Sequence, residues 1–339
     1  MLQIVLETPG RLVAAEAPEP AAAAEAVLVQ VHRVGICGTD LHAFAGRQPF
    51  FTYPRVLGHE LGVEVLEPGP EGSGLQPGDR CAVEPYLNCG RCVACRRSRP
   101  NCCAELRVLG VHVDGGLQPR LRVPSRKLHR AAGLDFDQLA LVETLAIGAH
   151  AVERGAPAID EFVLVVGLGP IGLGTALFAR LAGARVALMD VNERRLEFAR
   201  AQVDPVLALR PGPEAADLLR RAGGGEPPTC VFDATGNAQS MAASFGWPAH
   251  GGRLVFVGLV QGELAFSDPE FHRRELMLLA SRNARPETFR HVLAQLAAGR
   301  IDVRPWITHR CALAELPAAF GARIAGQPDV VKAIVEVAG

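Results

Sequence analysis

The sequence predicts an α/β protein of two domains, an irregular β-region followed by a doubly wound parallel sheet. Three observations lead there. The chain has 339 residues, and single cores rarely grow beyond about 250–300 residues. Its first 145 residues are broken by Gly and Pro punctuation, and from Phe162 onward short apolar runs alternate with helical patterns.

In the first part, Val27–Val34, Gly62–Leu66 and Arg80–Val83 are short β-branched runs. The turns Glu67-Pro-Gly-Pro-Glu-Gly-Ser-Gly74 and Gln76-Pro-Gly-Asp79 separate them, the pattern of a mostly antiparallel β-region. Leu141–Val152 then shows helical periodicity. Phe162–Gly167, Arg185–Asp190, Thr229–Ala234 and Arg253–Gly258 read as buried strands, with helices over Ile171–Ala182 and Glu193–Ala201. That alternation implies a parallel sheet covered on both faces. Pro286–Gly299 reads as a further amphipathic helix and Val330–Val337 as a closing strand. The expected domains are 1–145, 146–282 and a return to the first domain over 283–339.

Composition narrows the partners. Thirty-five basic and thirty-six acidic residues give a net charge of −1, and aromatics make up 5%. Phosphate-backbone binders carry a basic surplus and stacking platforms carry aromatics, so nucleic acid is not the expected partner. The amino terminus reads as a strand, without a basic segment before an apolar one. The uncharged run Phe162–Ala179 contains Gly167, Gly169, Pro170, Gly172 and Gly174, which suits a strand–turn–helix better than a membrane span. A soluble cytoplasmic protein is expected, and its nine cysteines are not expected to form a disulfide framework there.

Gly167-Leu-Gly169-Pro170-Ile171-Gly172 follows the apolar run Val163–Val166 and opens a helix. In G-x-G-x-x-G the first glycine makes the tight turn and the second lets backbone approach a pyrophosphate. The third allows close helix–strand packing, and the helix N-terminus presents free N–H groups. Asp190 ends the next strand eighteen residues after Gly172, where a ribose-binding carboxylate belongs. Its charge repels a 2′-phosphate, so NAD is expected over NADP. Arg194 and Arg195 are close enough in sequence to hold that phosphate in the NADP alternative.

Cys89-x2-Cys92-x2-Cys95-x7-Cys103 offers four thiolates, the ligand set of a closed structural zinc site. A redox pair or plain buried thiols are the alternatives. Cys102 is adjacent to Cys103, and since neighbouring side chains diverge, one of the two should ligate.

A second set lies outside that lobe. Cys37, Thr39, Asp40 and His42 fall within six residues, His59-Glu60 follow Gly58, and Glu143 stands where the two regions meet. Cys, His and one carboxylate make three protein ligands with a position left open, the pattern of a catalytic zinc.

Cys37-Gly-Thr-Asp, Gly58-His-Glu, the four-cysteine lobe and the Gly167–Gly172 fingerprint, in this order, resemble the zinc-dependent medium-chain dehydrogenase/reductases over essentially the whole chain. Glu143, where liver-type alcohol dehydrogenases carry cysteine, resembles the branch of sorbitol, threonine, galactitol and sugar-acid dehydrogenases. The resemblance implies a GroES-like catalytic domain, a Rossmann domain, two zinc ions per chain and a homodimer or homotetramer. It implies that Cys37 and His59 bind zinc, with Glu60 and Glu143 as ligands or exchanging neighbours. Thr39 would accept the substrate proton, His42 would pass it to solvent, and Asp40 would orient His59. Ala234-Thr235-Gly236 and Val257-Gly258-Leu259 would line the nicotinamide half of the cleft.

The implied reaction is hydride transfer to NAD from a secondary hydroxyl of a polyol or sugar acid. L-threonine or a small alcohol is the alternative substrate, and a non-catalytic NAD(H)-binding protein the alternative class. Arg282 and Asn283 are expected to contact the substrate, because a guanidinium can clamp a carboxylate. Phe44, Phe50 and Phe51 are expected to form one wall.

Overall fold

A computed structural model describes residues 1–339 apart from Ala24, Phe50, Pro328 and Gly339, so the expectation for Phe50 lies outside the described residues. The chain divides into two compact units, Met1–Thr144 with Arg285–Gly339, and Leu145–Ala284. The boundaries differ from the sequence reading by one residue and by two. Thr144 and Leu145 are consecutive residues of one helix, Val142–Gly155, so no Gly or Pro marks the first junction. At the second, Ala284 is fully buried, although Asn283 before it has a positive φ of 53°.

In the first unit the largest sheet is built on the long strand Ala26–Ile36, which pairs antiparallel with Glu60–Val65, Arg120–Pro124 and Lys332–Glu336. Arg80–Val83 and Leu128–Arg130 extend it on one side, and Ile307–Ala312 on the other. Val27, Val29 and Val31 alternate into the core with no exposure, the period of two that buries one face. A register irregularity between Val31 and Arg33 then shifts the phase, and Val34, Gly35 and Ile36 are all buried. That shift brings Gly35 opposite Glu60 and Ile36 opposite Ala333, which sets the frame of the site. Tyr86–Leu87 and Arg107–Val108 form a separate two-stranded ribbon.

The second unit is a six-stranded parallel sheet in the order Leu207–Leu209, Arg185–Met189, Phe162–Val166, Cys230–Asp233, Arg253–Phe256, Met277–Ala280. Numbered along the chain this is 3-2-1-4-5-6, the doubly wound order of dinucleotide-binding sheets. Val163, Leu164 and Val165 on the central strand are fully buried, as helices on both faces require. Two strands escaped the sequence reading. Leu207–Leu209 has three residues between Pro205 and Pro211, and Met277–Ala280 is the outer strand, with Met277 55% and Leu278 40% exposed. Among the described residues no helix is long and apolar enough to cross a membrane.

Candidate active site

Cys37 directly follows the central strand and caps the helix Gly38–Phe44. Its backbone N–H donates to Asp40 Oδ2 at 2.9 Å, which fixes the turn. Glu60 lies across the strand from Gly35, where an added Cβ would fall 2.0 Å from Glu60 Oε2, so only glycine leaves room for that carboxylate. One donor atom from each of Cys37, His59 and Glu60 lies within 4.8 Å of the others. Ligands on one tetrahedral zinc stand roughly 3.5 Å apart, so the set fits a single ion with modest closure.

Two buried orphans support that fit. His59 Nδ1 and Asp40 Oδ1 have no hydrogen-bond partner and stand 3.7 Å apart. Nδ1 is thus turned to Asp40, which leaves Nε2 as the nitrogen available to a metal ion. Burial pulls the His59 pKa down, but Asp40, Cys37 and Glu143 outweigh it and push it well above 6.5. A pocket so rich in anionic donors favours positive charge, which a divalent cation would supply.

The two carboxylates differ. Glu60 is fully buried, and its oxygens lie 2.7 and 2.8 Å from Lys332 Nζ. Burial raises its pKa, but Lys332 and then His59 prevail and the net shift is downward. Glu143, in the first turn of Val142–Gly155, stands outside the 4.8 Å set. Burial dominates there and raises its pKa, while the Tyr86 hydroxyl donates to its Oε1. The sequence reading missed Lys332 and Tyr86. A lone lysine heading the buried run Ala333–Val335 was the one signal available for the first.

Thr39 and His42 are three positions apart on the helix Gly38–Phe44 and therefore share a face. Thr39 is half-buried and His42 exposed. Burial, then Arg47, lowers the His42 pKa, favouring a neutral imidazole able to accept a proton. Of the expected aromatic wall, Phe44 packs on Phe320 at 4.8 Å between ring centroids and Phe51 on Tyr53 at 4.8 Å, and both rings are half-buried. Both rings pack against the core.

The four-cysteine lobe gathers Cys89, Cys92, Cys95 and Cys103 within the same 4.8 Å limit, while Cys102 is exposed. Cys92 Sγ and Cys95 Sγ are 3.5 Å apart. The Cys95 and Ala104 amides bring the Cys92 thiol down to about 6, which favours the ligating thiolate. Burial pushes Cys103 the other way, to about 11. Ligation by Cys103 therefore displaces a proton.

The second unit carries a cavity of about 620 Å³ whose wall includes Gly167, Gly169, Asp190, Arg195, Ala234 and Thr235. Pro170, Ile171, Gly172, Gly258 and Leu259 are not on it. The reason is packing: a Cβ at Gly172 would meet Gly167 O at 1.7 Å, and one at Gly258 would meet Gly236 N at 2.3 Å. Pro170 opens the helix Pro170–Leu181 behind the Gly169 cap, and Leu259 is 65% exposed. Asp190 Oδ2 accepts from Leu168 N at 2.6 Å and Oδ1 from Asn192 N at 2.8 Å. Each oxygen keeps a lone pair for a hydroxyl.

Asp233, also missed, shapes the wall. Its Oδ1 accepts from Thr235 N and Oγ1 at 2.9 and 2.6 Å, and its Oδ2 from Ser240 and Ser244 hydroxyls at 3.1 and 2.7 Å. Arg282 is exposed and Asn283 half-buried. Both belong to this second unit, outside the lining of its cavity.

A glycine-loop cavity at the C-terminal end of a doubly wound sheet holds a dinucleotide, and a thiolate–imidazole–carboxylate set with a vacancy in its ligand count suits a catalytic metal. Together they define a metal-dependent oxidoreductase. Residues 23–133 match the alcohol dehydrogenase GroES-like domain and residues 170–298 the zinc-binding dehydrogenase domain. The chain belongs to the zinc-binding dehydrogenases of the medium-chain family, with a GroES-like domain and a Rossmann domain. It is 42% identical to L-galactonate-5-dehydrogenase of Escherichia coli K12, over 98% of both chains. It is 31% identical to 2-dehydro-3-deoxy-L-galactonate 5-dehydrogenase of Pseudoalteromonas atlantica, over 91% of both. Among solved structures, an E. coli CFT073 alcohol dehydrogenase complexed with NADH superposes with a TM-score of 0.91 at 28% identity, covering 99% of each chain. A Sinorhizobium meliloti 1021 protein bound to NADP gives 0.88 at 31% identity, again over 99% of each.

Proposed function

We propose that this enzyme oxidises a secondary hydroxyl of a sugar acid or polyol with NAD⁺, giving the ketone, NADH and a proton. The observation that carries the reading is the grouped Cys37, His59 and Glu60 donors in a chain 42% identical to L-galactonate-5-dehydrogenase. Zinc, when bound, supplies the Lewis acid that polarises the carbinol oxygen. Cys37, His59 and a carboxylate, Glu60 or Glu143, hold it, and Asp40 orients His59. Thr39 Oγ1 would accept the substrate hydroxyl proton while giving up its own towards the neutral His42 imidazole, which releases it to solvent. The amides at Gly167–Gly169 would hold the pyrophosphate and Asp190 the ribose hydroxyls, with Ala234 and Thr235 forming part of the same cavity wall. Arg282 and Asn283 are assigned to the substrate, the guanidinium favouring a carboxylate-bearing one.

A second zinc in the Cys89, Cys92, Cys95 and Cys103 lobe holds that segment together. A cytoplasmic location is proposed with it, since a reducing compartment keeps thiolates available to zinc. The outer strand Met277–Ala280, paired on one side only among the described residues and with Met277 and Leu278 exposed, supports a homo-oligomer built by strand pairing.

The test is NADH formation with aldonates, polyols, L-threonine and simple alcohols, for the wild type and Arg282→Met. Sugar acids should turn over fastest, and the variant should lose at least about tenfold in kcat/KM, about 1.4 kcal/mol, on aldonates and much less on uncharged alcohols. Turnover of simple alcohols alone, or equal losses on both classes, would discard the substrate assignment. A zinc-loaded chain that binds NADH and oxidises nothing would make it a binding protein.

A further inference from the structure

Three buried titratable groups of the first unit take no part in the chemistry above. Glu84, Lys127 and His129 are almost fully buried. Lys127 Nζ pairs with Glu84 Oε1, and His129 Nε2 lies 3.1 Å from Glu84 Oε2. The Glu84 backbone N–H donates to Lys127 O at 2.8 Å. The His129 ring stacks on Phe289 at 5.1 Å and 16°, and Phe289 meets the Tyr86 ring edge-on at 6.1 Å and 76°. Tyr86 also pairs with Val108 in the short ribbon.

Burying charges is costly, and their mutual pairing only roughly offsets the cost. This cluster clamps the backbone two residues before Tyr86 and the ring against which Tyr86 packs. What it holds still is a phenol hydroxyl that donates to Glu143 Oε1, with Tyr86 2% and Glu143 5% exposed. Glu60, by contrast, has both oxygens on Lys332, whereas Tyr86 engages only one oxygen of Glu143.

We propose that Tyr86 is a positioning residue of the metal centre: its hydroxyl fixes Glu143 through Oε1, so that this carboxylate, which stands outside the Cys37, His59 and Glu60 set, would offer its other oxygen to the cation in one orientation. The inference rests on the metal reading of the proposed function. Groups that orient a carboxylate ligand change metal affinity without touching the metal, typically by about 10–100-fold.

The experiment is competitive chelation of the zinc-loaded holoenzyme, for wild type, Tyr86→Phe, Glu143→Gln and the double variant. Tyr86→Phe should weaken the zinc that Cys37→Ser removes by about tenfold or more. Zinc in the four-cysteine lobe should be unaffected, which also reports that the unit remains folded. In the Glu143→Gln background the tyrosine change should have no further effect, as a double-mutant cycle requires of a residue acting through another. In the cobalt-substituted enzyme, Tyr86→Phe should shift the visible absorption of the catalytic site.

Zinc affinity within twofold of wild type overturns the proposal. So does a loss that persists undiminished with Glu143→Gln. A wild-type enzyme holding no zinc outside the four-cysteine lobe overturns the metal reading itself, and is distinguishable because it precedes any variant.

Discussion

Lys332 Nζ lies 2.7 and 2.8 Å from the two oxygens of Glu60, a partner 272 positions away, and both side chains are buried. The ammonium also donates to Ile36 O at 3.2 Å, one residue before Cys37. The pair thus ties the last strand of the chain to both segments that supply the metal donors.

Removing the lysine leaves a buried carboxylate without its counter-charge. Lys332→Met should destabilise the protein by about 3–5 kcal/mol, read as a lower urea midpoint. Lys332→Arg, which keeps the charge, should lose much less. Equal losses for the two variants would show that packing, and not charge, sets the cost.

In the second unit, Arg253 brackets Glu161 with contacts at 2.8 and 2.9 Å and also donates to Gly155 O and to Ala156 O. Burial raises the Glu161 pKa, but the Arg253, Thr229 and Ala158 donors outweigh it and the net shift is downward. A carboxyl with a depressed folded pKa contributes stability that is present above its ordinary value and lost as pH falls through the folded one. Glu161→Gln should therefore cost about 2 kcal/mol near neutrality. Its unfolding midpoint should converge with that of the wild type as the solution is acidified below the ordinary carboxylate range. A gap that stays constant with pH would remove the charge from the explanation.

The two donor sets share no residue, so their metals should be separable. Cys92→Ser should release one zinc and destabilise its lobe. Cys37→Ser should release the other and abolish turnover in a chain that still unfolds cooperatively. Elemental analysis of unchelated protein should give two zinc ions in the wild type and one in each variant. A wild-type count of one or none contradicts the assignment.

Asp190 does two things at once. It faces the cofactor cavity, and its oxygens secure the Leu168 and Asn192 amides. Asp190→Ala should therefore raise KM for both dinucleotides while shifting the NAD/NADP preference towards NADP by about tenfold or more, about 1.4 kcal/mol. Arg195 lines the same wall, so the shift should shrink in Asp190→Ala/Arg195→Ala if its guanidinium meets the added phosphate. Steady-state kinetics with both cofactors decides it, and a wild type already preferring NADP rules out the charge argument.

What the sequence determined by itself is what short stretches of chain encode. Gly167 needs φ near +86°, and Gly172 allows no Cβ against Gly167 O. Both constraints act within six residues, so the motif was readable as a string. Cys89, Cys92, Cys95 and Cys103 span fifteen residues and converge over short loops; Cys103, and not the exposed Cys102, joins the set. Strong central strands such as Phe162–Val166 announced themselves as unbroken apolar runs. The three-residue strand Leu207–Leu209 and the exposed edge Met277–Ala280 lacked that signal. Tertiary structure alone decided which buried charges meet. Lys332 reaches Glu60 because Lys332–Glu336 becomes the neighbour of Ala26–Ile36, and Tyr86 reaches Glu143 from a ribbon 57 positions earlier. Such pairings depend on which strands adjoin. Strand adjacency is fixed by the packing of the whole core, and no local spacing of residues records it.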